Sequence, residues 1–290
     1  MKSYETLSRN VRRIRQKGNS LPSVPVTLAD FILPEEYMVT LEGQQFLLHD
    51  NEDPFRRTMI FATKENISFL AHCDEWYMDG TFDICPPLFS QLYTIHGRRN
   101  NLHFPLVYVL ASKKDYFTYE GLFNQLKVAD KRLQQKKIMI DFEKAAHKAA
   151  EDVFEGVEVS GCFFHFCQCL YRKIQECGLK KTYIEDATFA MNMRCITALA
   201  FVPVHNVVNN FEKLKKLKFF SKKLKGKSDV DFGVQKLLLY MESTWIGKQG
   251  RKSYKPGMFQ LKMWNVYQLT LDLFPRTNNI VEAWHNTCTS

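Results

Sequence analysis

EWYMDGTFDIC (75–85), LFSQLYTIHG (88–97) and HFPLVYVLAS (103–112) are the runs that decide how this chain folds. Each is dense in aromatic and β-branched residues, and only the pair Pro86-Pro87 and the polar turn RRNN (98–101) separate them, so they read as an antiparallel meander. Beyond it, DYFTYEGLFNQLKVADKRL (115–133) places apolar residues at helical spacing, KKIMIDF (136–142) is a short buried strand, and EKAAHKAAEDVF (143–154) is a second amphipathic helix. VEVSGCFFHF (157–166) supplies a fifth strand. Three strands, then helix, strand, helix, strand, is the alternation of an α/β domain built on a mixed sheet.

Outward from this core the character of the chain changes. Residues 1 to about 20 are polar and basic, and LPSVPVTLADFILPEEY (21–37) is punctuated by prolines, which predicts an arm leading into an extended segment. QQFLLHDN (44–51) and TMIFATKENISFLAHC (58–73) predict a strand or two and a short helix opening near Lys64 to Asn66. Residues 1–70 are therefore an N-terminal arm with a small lead-in subdomain. CQCLYRKIQECG (167–178), ITALAFVPVHNVVNNFEKLKKLKFF (196–220), DFGVQKLLLYMESTWIG (231–247) and MFQLKMWNVYQLTL (258–271) are more easily helical than extended, which makes 166–277 a helical insertion. NNIVEAWHNTCTS (278–290) opens on two asparagines suited to cap a final helix beginning near Ile280, so the core comprises 71–165 plus 278–290.

Composition narrows the function classes. Forty Lys plus Arg against thirty-one Asp plus Glu leave a formal charge of +9, which favours an anionic partner such as nucleic acid. No apolar run reaches the roughly eighteen residues of a membrane helix, and the first twenty residues lack the apolar core of a signal peptide. An intracellular protein without a membrane partner is expected. The eight cysteines lie scattered through apolar stretches of a chain too long for a small disulfide scaffold, and read as reduced.

Two acids are out of place for ordinary strands. Asp79 sits inside the apolar run WYMDGTF, where an unpaired carboxylate costs several kcal/mol to desolvate, and Asp141 ends the buried strand KKIMIDF, at the carboxyl end where open α/β sheets place ligand-binding groups. A divalent cation answers both, because Mg²⁺ is held by a few carboxylates with water and substrate phosphate completing its shell. The structural alternatives are that Asp79 accepts hydrogen bonds at a β-bulge beside Gly80, and that Asp141 caps a helix starting at Phe142 or Glu143. Taken singly either acid fits its structural alternative; the two together favour a metal site. Spacing alone does not locate a third carboxylate.

WYMDGTF, FSQLYTIHG, PLVYVL, the DFE at 141–143, GCFFHF and NNIVEAWHN together resemble the transposase domain of Mutator-like elements, the MULE domain, over nearly the whole chain. The resemblance implies a ribonuclease H-like core with a large helical insertion before the last catalytic helix, and an Asp-Asp-Glu triad that falls on Asp79, Asp141 and Glu282. It further implies Mg²⁺ or Mn²⁺, two ions, with Asp79 bridging both and Asp141 and Glu282 each completing one shell. The activity implied is cut-and-paste transposition: metal-dependent DNA strand cleavage followed by strand transfer. The implied partners are transposon ends and target DNA, with a homo-oligomer on DNA, in the nucleus. Judged by spacing alone, Glu282 is an acid in the first turn of a helix, complementing the dipole.

His285, three residues beyond Glu282, shares its helical face and reads either as a contact to the scissile strand or as a partly exposed helical histidine. Cys162 and His165 form a C-x-x-H that the family also carries; a zinc site needs four ligands and one pair does not supply them, so the pair is expected to order the junction between core and insertion, and zinc is not expected as a cofactor. The basic run 212–227, with Lys215, Lys216, Lys222 and Lys223, is a solvated helix face or, in a transposase insertion, a phosphate-contacting surface. Trp245, Trp264 and Trp284 can stack on splayed bases, although core packing is the better expectation for at least two. Three functions compete: an active transposase, a domesticated or decayed derivative that binds DNA without catalysis, and a nuclease acting on RNA or hybrids.

Overall fold

The computed structural model describes residues 25–82, 84–250 and 253–289. The basic arm expected over residues 1–20 lies outside them.

The strands form in chain order as β1 (Leu47–Asp50), β2 (Thr58–Phe61), β3 (Glu75–Thr81), β4 (Gln91–Arg99), β5 (Leu102–Ala111), β6 (Lys137–Ile140) and β7 (Glu158–Gly161). They make one mixed sheet in the order β1-β2-β5-β4-β3-β6-β7. β3, β4 and β5 are the expected antiparallel meander, and β6 and β7 continue the sheet parallel to β3. The architecture is compatible with a ribonuclease H-like fold. β1 and β2, read from sequence as part of a lead-in unit, join the same sheet, because all four residues of β2 are buried and its antiparallel partner is β5.

Between these strands lie α1 (Lys64–Leu70), α2 (Tyr116–Ala129) and α3 (Lys144–Val153). Thr63 and Asp115 cap the first two by accepting from the backbone N–H of Asn66 and Thr118. The core packs Trp76, Met78 and Ile138 of the sheet against Leu122, Phe123 and Leu126 of α2 and Ala146 and Ala150 of α3. Strand side chains alternate between faces, so Tyr77 and Met139, one residue along from Trp76 and Ile138, point the other way. There they enclose Cys162 and Val281.

The sequence alone extends the fifth strand through Phe166. The strand instead stops at Gly161, and FFHFCQCLYRKIQE forms α4 (Phe163–Glu176) with Phe166, Leu170 and Ile174 buried at helical spacing. Local alternation of apolar residues did not decide this; packing against the helical region did. A β-carbon at position 161 would collide with the Phe142 ring, so the chain passes there only as glycine.

The helical region continues as α5 (Lys180–Glu185), α6 (Ala187–Thr197), α7 (Val207–Lys216), α8 (Lys218–Lys225) and α9 (Asp229–Tyr240). A π-helical turn, Met241–Ile246, and a two-residue hairpin, Lys248–Gln249 with Tyr254–Lys255, follow. The stretch MFQLKMWNVYQLTL, expected as one helix, breaks at Asn265 into α10 (Leu261–Trp264) and α11 (Tyr267–Leu271), because the Asn265 side chain donates to the Val202 carbonyl and accepts from the Tyr267 N–H. Trp245 and Trp264 are buried in the core of this region. Phe142 joins that core to the sheet, its ring edge-on to Trp245 at 4.8 Å and to Phe259 at 5.2 Å. The last helix, α12 (Asn279–Thr289), returns to the sheet through Val281.

Replacing Gly161 by alanine should lower stability by about 1–3 kcal/mol through overpacking against Phe142, read as a drop in the urea midpoint at unchanged slope. An unaltered midpoint would show that the β7–α4 turn has room that the structure does not give it.

Candidate active site

Register sets the site. Tyr77 of β3 lies beside Met139 of the parallel strand β6, and two residues further along both chains, on the same face, stand Asp79 and Asp141. Asp79 is paired squarely with Thr94 of β4, and the irregularity of that neighbourhood falls elsewhere, between Ile95 and His96. The bulge account of Asp79 is therefore set aside. Its Oδ1 accepts only from the N–H of Gly80, at 2.9 Å. Asp141 lies one residue past β6, and α3 starts at Lys144 with Glu143 before it and no side-chain cap, so Asp141 does not cap that helix.

Asp79 is 5% exposed, and burial, with the neighbouring Asp141 carboxylate next in effect, pushes it up to about 8; Glu282 adds to the rise while Lys114 opposes it. Burial also raises Asp141 and Glu282. Asp141 Oδ1 is buried without a hydrogen-bond partner. A cluster of carboxylates with unfilled acceptor capacity and mutual repulsion fits a divalent cation, which supplies what hydrogen bonds do not.

Glu282 reaches this place because α12 is pinned where it begins. Cys162 Sγ accepts from the Asn278 N–H at 3.4 Å, the Phe163 N–H donates to the Arg276 carbonyl at 2.9 Å, and the Asn278 carbonyl receives the N–H groups of Val281 and Glu282. Cys162 thus acts on the junction, while His165, in the first turn of α4, turns inward. Its Nε2 lies 3.3 Å from Glu282 Oε1, its Nδ1 is buried without a partner, and burial lowers its pKa against the opposing effect of the Glu282 carboxylate. Asp79, Asp141 and His165 each offer a ligand atom, and these atoms lie within 4.8 Å of one another.

The other expected residues divide. His285 is buried rather than partly exposed: it is 6% exposed, its Nε2 is 3.0 Å from Thr94 Oγ1 and its Nδ1 4.0 Å from Asp79 Oδ2. Trp284 is partly buried, with its ring centroid 5.6 Å from that of His96 and 5.5 Å from that of Tyr108. Lys215 is held by Glu212 and Glu242 at 2.7 Å each and Lys223 by Asp231 at 3.1 Å, whereas Lys216 and Lys222 are exposed.

Lys114 was not singled out in the sequence. Its Nζ is 3.4 Å from Glu143 Oε2 and 4.5 Å from the centre of the Phe82 ring, and its charge lowers the pKa of both Asp79 and Asp141. It follows β5 in a polar SKKD turn that carries no pattern of its own; only the proximity of that turn to the acids reveals it.

Residues 75–169 match the family model of the MULE transposase domain. That segment is transposase-related. It runs from the first residue of β3 into α4, and so carries Asp79, Asp141, Cys162 and His165 of the site. The chain matches no curated protein. Among the described residues no helix is long and apolar enough to cross a membrane.

A carboxyl raised to about 8 holds its proton in the folded state over a range where the unfolded chain, near 3.8, has lost it. Stability from Asp79 is thus complete below about pH 4 and lost as pH rises toward 8. The metal-free protein should melt at progressively lower temperature from pH 6 to 8, and millimolar Mn²⁺ should restore more at pH 8 than at pH 6. Asp79→Asn should flatten the slope; a slope equal to the parent's would show that the acid is not responsible.

Proposed function

We propose that this chain is a transposase catalytic domain that cleaves and joins DNA strands, with a ribonuclease H-like core interrupted by a helical insertion before its final helix. What carries the reading is the convergence on Asp79 of two further carboxylates, Asp141 from the end of β6 inside the transposase-related segment and Glu282 from α12 beyond it. Asp79 feels the charge of both other acids and would be the shared ligand of two divalent cations, Mg²⁺ or Mn²⁺, with Asp141 and Glu282 each completing one of them. Bound there, such ions activate a water or 3′-hydroxyl and stabilise the leaving oxygen of a phosphodiester.

The protein's own groups do the rest. Burial of the acids keeps water out and strengthens the field at the reacting phosphate. Lys114, at the rim of the acids and a third exposed, sits where its ammonium can neutralise a phosphate oxygen of the strand being cut. His285, beneath Asp79 and bonded to Thr94, fills the space under the carboxylate and limits its rotation. DNA, the partner, lies along the basic insertion, where exposed Lys216 and Lys222 meet backbone phosphates.

Purified protein with Mn²⁺ or Mg²⁺ should nick supercoiled plasmid, EDTA should stop it, and Asp79→Asn or Glu282→Gln should slow it at least about a hundredfold. Nicking at the parent rate by either variant would sink the assignment. Folded, DNA-binding parent protein that never nicks would point to a domesticated or decayed derivative.

Lys216→Ala with Lys222→Ala should weaken DNA binding on every sequence and flatten its log–log salt slope by about two, near 0.9 for each phosphate no longer neutralised. The pair Lys215→Ala and Lys223→Ala should leave the slope nearly unchanged, since those ammonium groups already face carboxylates. The reverse ranking would place the DNA on another face.

A further inference from the structure

Resting on the reading of the acids as a cation site, we propose that His165 is itself a ligand of the cation held by Asp79 and Asp141. That position is then a mixed nitrogen and oxygen centre, while the position shared by Asp79 and Glu282 is built of oxygen alone.

Distance, satisfaction and rigidity support the assignment. The ligand atoms of Asp79, Asp141 and His165 all lie within 4.8 Å of one another; adjacent ligands of an octahedral ion with bonds near 2.1 Å stand about 3 Å apart and opposite ones about 4.2 Å, so side-chain rotations of up to about an ångström bring the three into one shell. The ring has an unused nitrogen, since Nδ1 is buried with no hydrogen-bond partner while Nε2 lies 3.3 Å from Glu282 Oε1. Asp141 Oδ1 is buried and unpartnered at the same place. A histidine that binds a metal through one nitrogen commonly directs the other at a carboxylate, which fixes the ring. α4 holds the residue in place: Cys162 precedes it against Asn278, and Phe166 follows it, stacked on Trp264 at 4.8 Å.

The chemical consequence is selectivity. Imidazole binds the later divalent ions of the first transition row better than Mg²⁺, and affinity rises from Mn²⁺ to Co²⁺. The two positions should therefore differ, with Mn²⁺ or Co²⁺ preferred beside His165 and Mg²⁺ accepted beside Glu282.

The test is the spin-echo envelope of Mn²⁺ bound to the full chain, with Mn²⁺ affinity measured calorimetrically on the same samples. The parent should show nitrogen hyperfine coupling that His285→Gln keeps and His165→Gln loses, together with a fall in Mn²⁺ affinity of at least about tenfold. If His165→Gln does not fold, His165→Asp serves instead: it replaces nitrogen by oxygen, so coupling should vanish while Mg²⁺ binding gains on Mn²⁺. Bound Mn²⁺ without nitrogen coupling in the parent, or coupling that survives loss of His165, overturns the proposal while leaving the acid centre intact. Failure of the parent to bind Mn²⁺ at millimolar concentration overturns both.

Discussion

The closeness of two buried carboxylates, Asp79 and Asp141, is the constraint around which the protein is organised. Parallel pairing of β3 with β6 puts them side by side on one face of the sheet, in surroundings where a carboxylate is costly to ionise and two are costlier. Local contacts relieve this only in part: Asp79 has one backbone hydrogen bond, an oxygen of Asp141 has none, and the Lys114 charge offsets some of the repulsion. The strain is tolerable because the sheet beneath is fully packed, with Trp76, Met78, Ile138 and Ile140 buried against α2 and α3. A softer scaffold would let the two acids separate.

The elements that surround the pair come from far along the chain. α4 brings His165 from the end of β7, α12 brings Glu282 and His285, and the turn after β5 brings Lys114. Each is tied down by packing outside the site: Phe166 within the helical core, Val281 among Tyr77, Met139 and Cys162, Lys114 against Phe82 and Glu143. Phe142 connects the parts, since it follows Asp141 directly and its ring packs against the aromatic cluster of the helical region. Substitutions in that cluster should be felt at Asp141 although they touch no ligand.

The meander and the helix–strand alternation were legible because period-2 and period-3.6 patterns separate cleanly over 75–154, and Asp79 and Asp141 stood out as charges in buried runs. Glu282 was legible only through family resemblance; as one acid in a helix it carries no spacing signal. Three features were not legible for physical reasons. GCFFHF is apolar enough to be strand or helix, and the choice was made by the Phe142 ring against Gly161 and by burial of Phe166. β1 and β2 read as separate because the strand that joins them to the sheet, β5, pairs with β2 from some fifty residues on. Lys114 sits in a polar turn, and its part in the site depends on tertiary proximity alone.

The hydrogen bond from Asn278 to Cys162 joins residues 116 apart in sequence, so the whole helical region between them is a loop whose two ends meet at one sulfur atom. Loop closure costs only about 0.6 kcal/mol more for each doubling of length, so the junction closes a long enclosed stretch at little more entropic cost than a short one. The same closure imposes an order of assembly. Until the helices between Cys162 and Asn278 have folded and their ends have met, the sheet holds two carboxylates but not the third. Completion of the acidic cluster therefore waits on the part of the chain that contributes none of its acids.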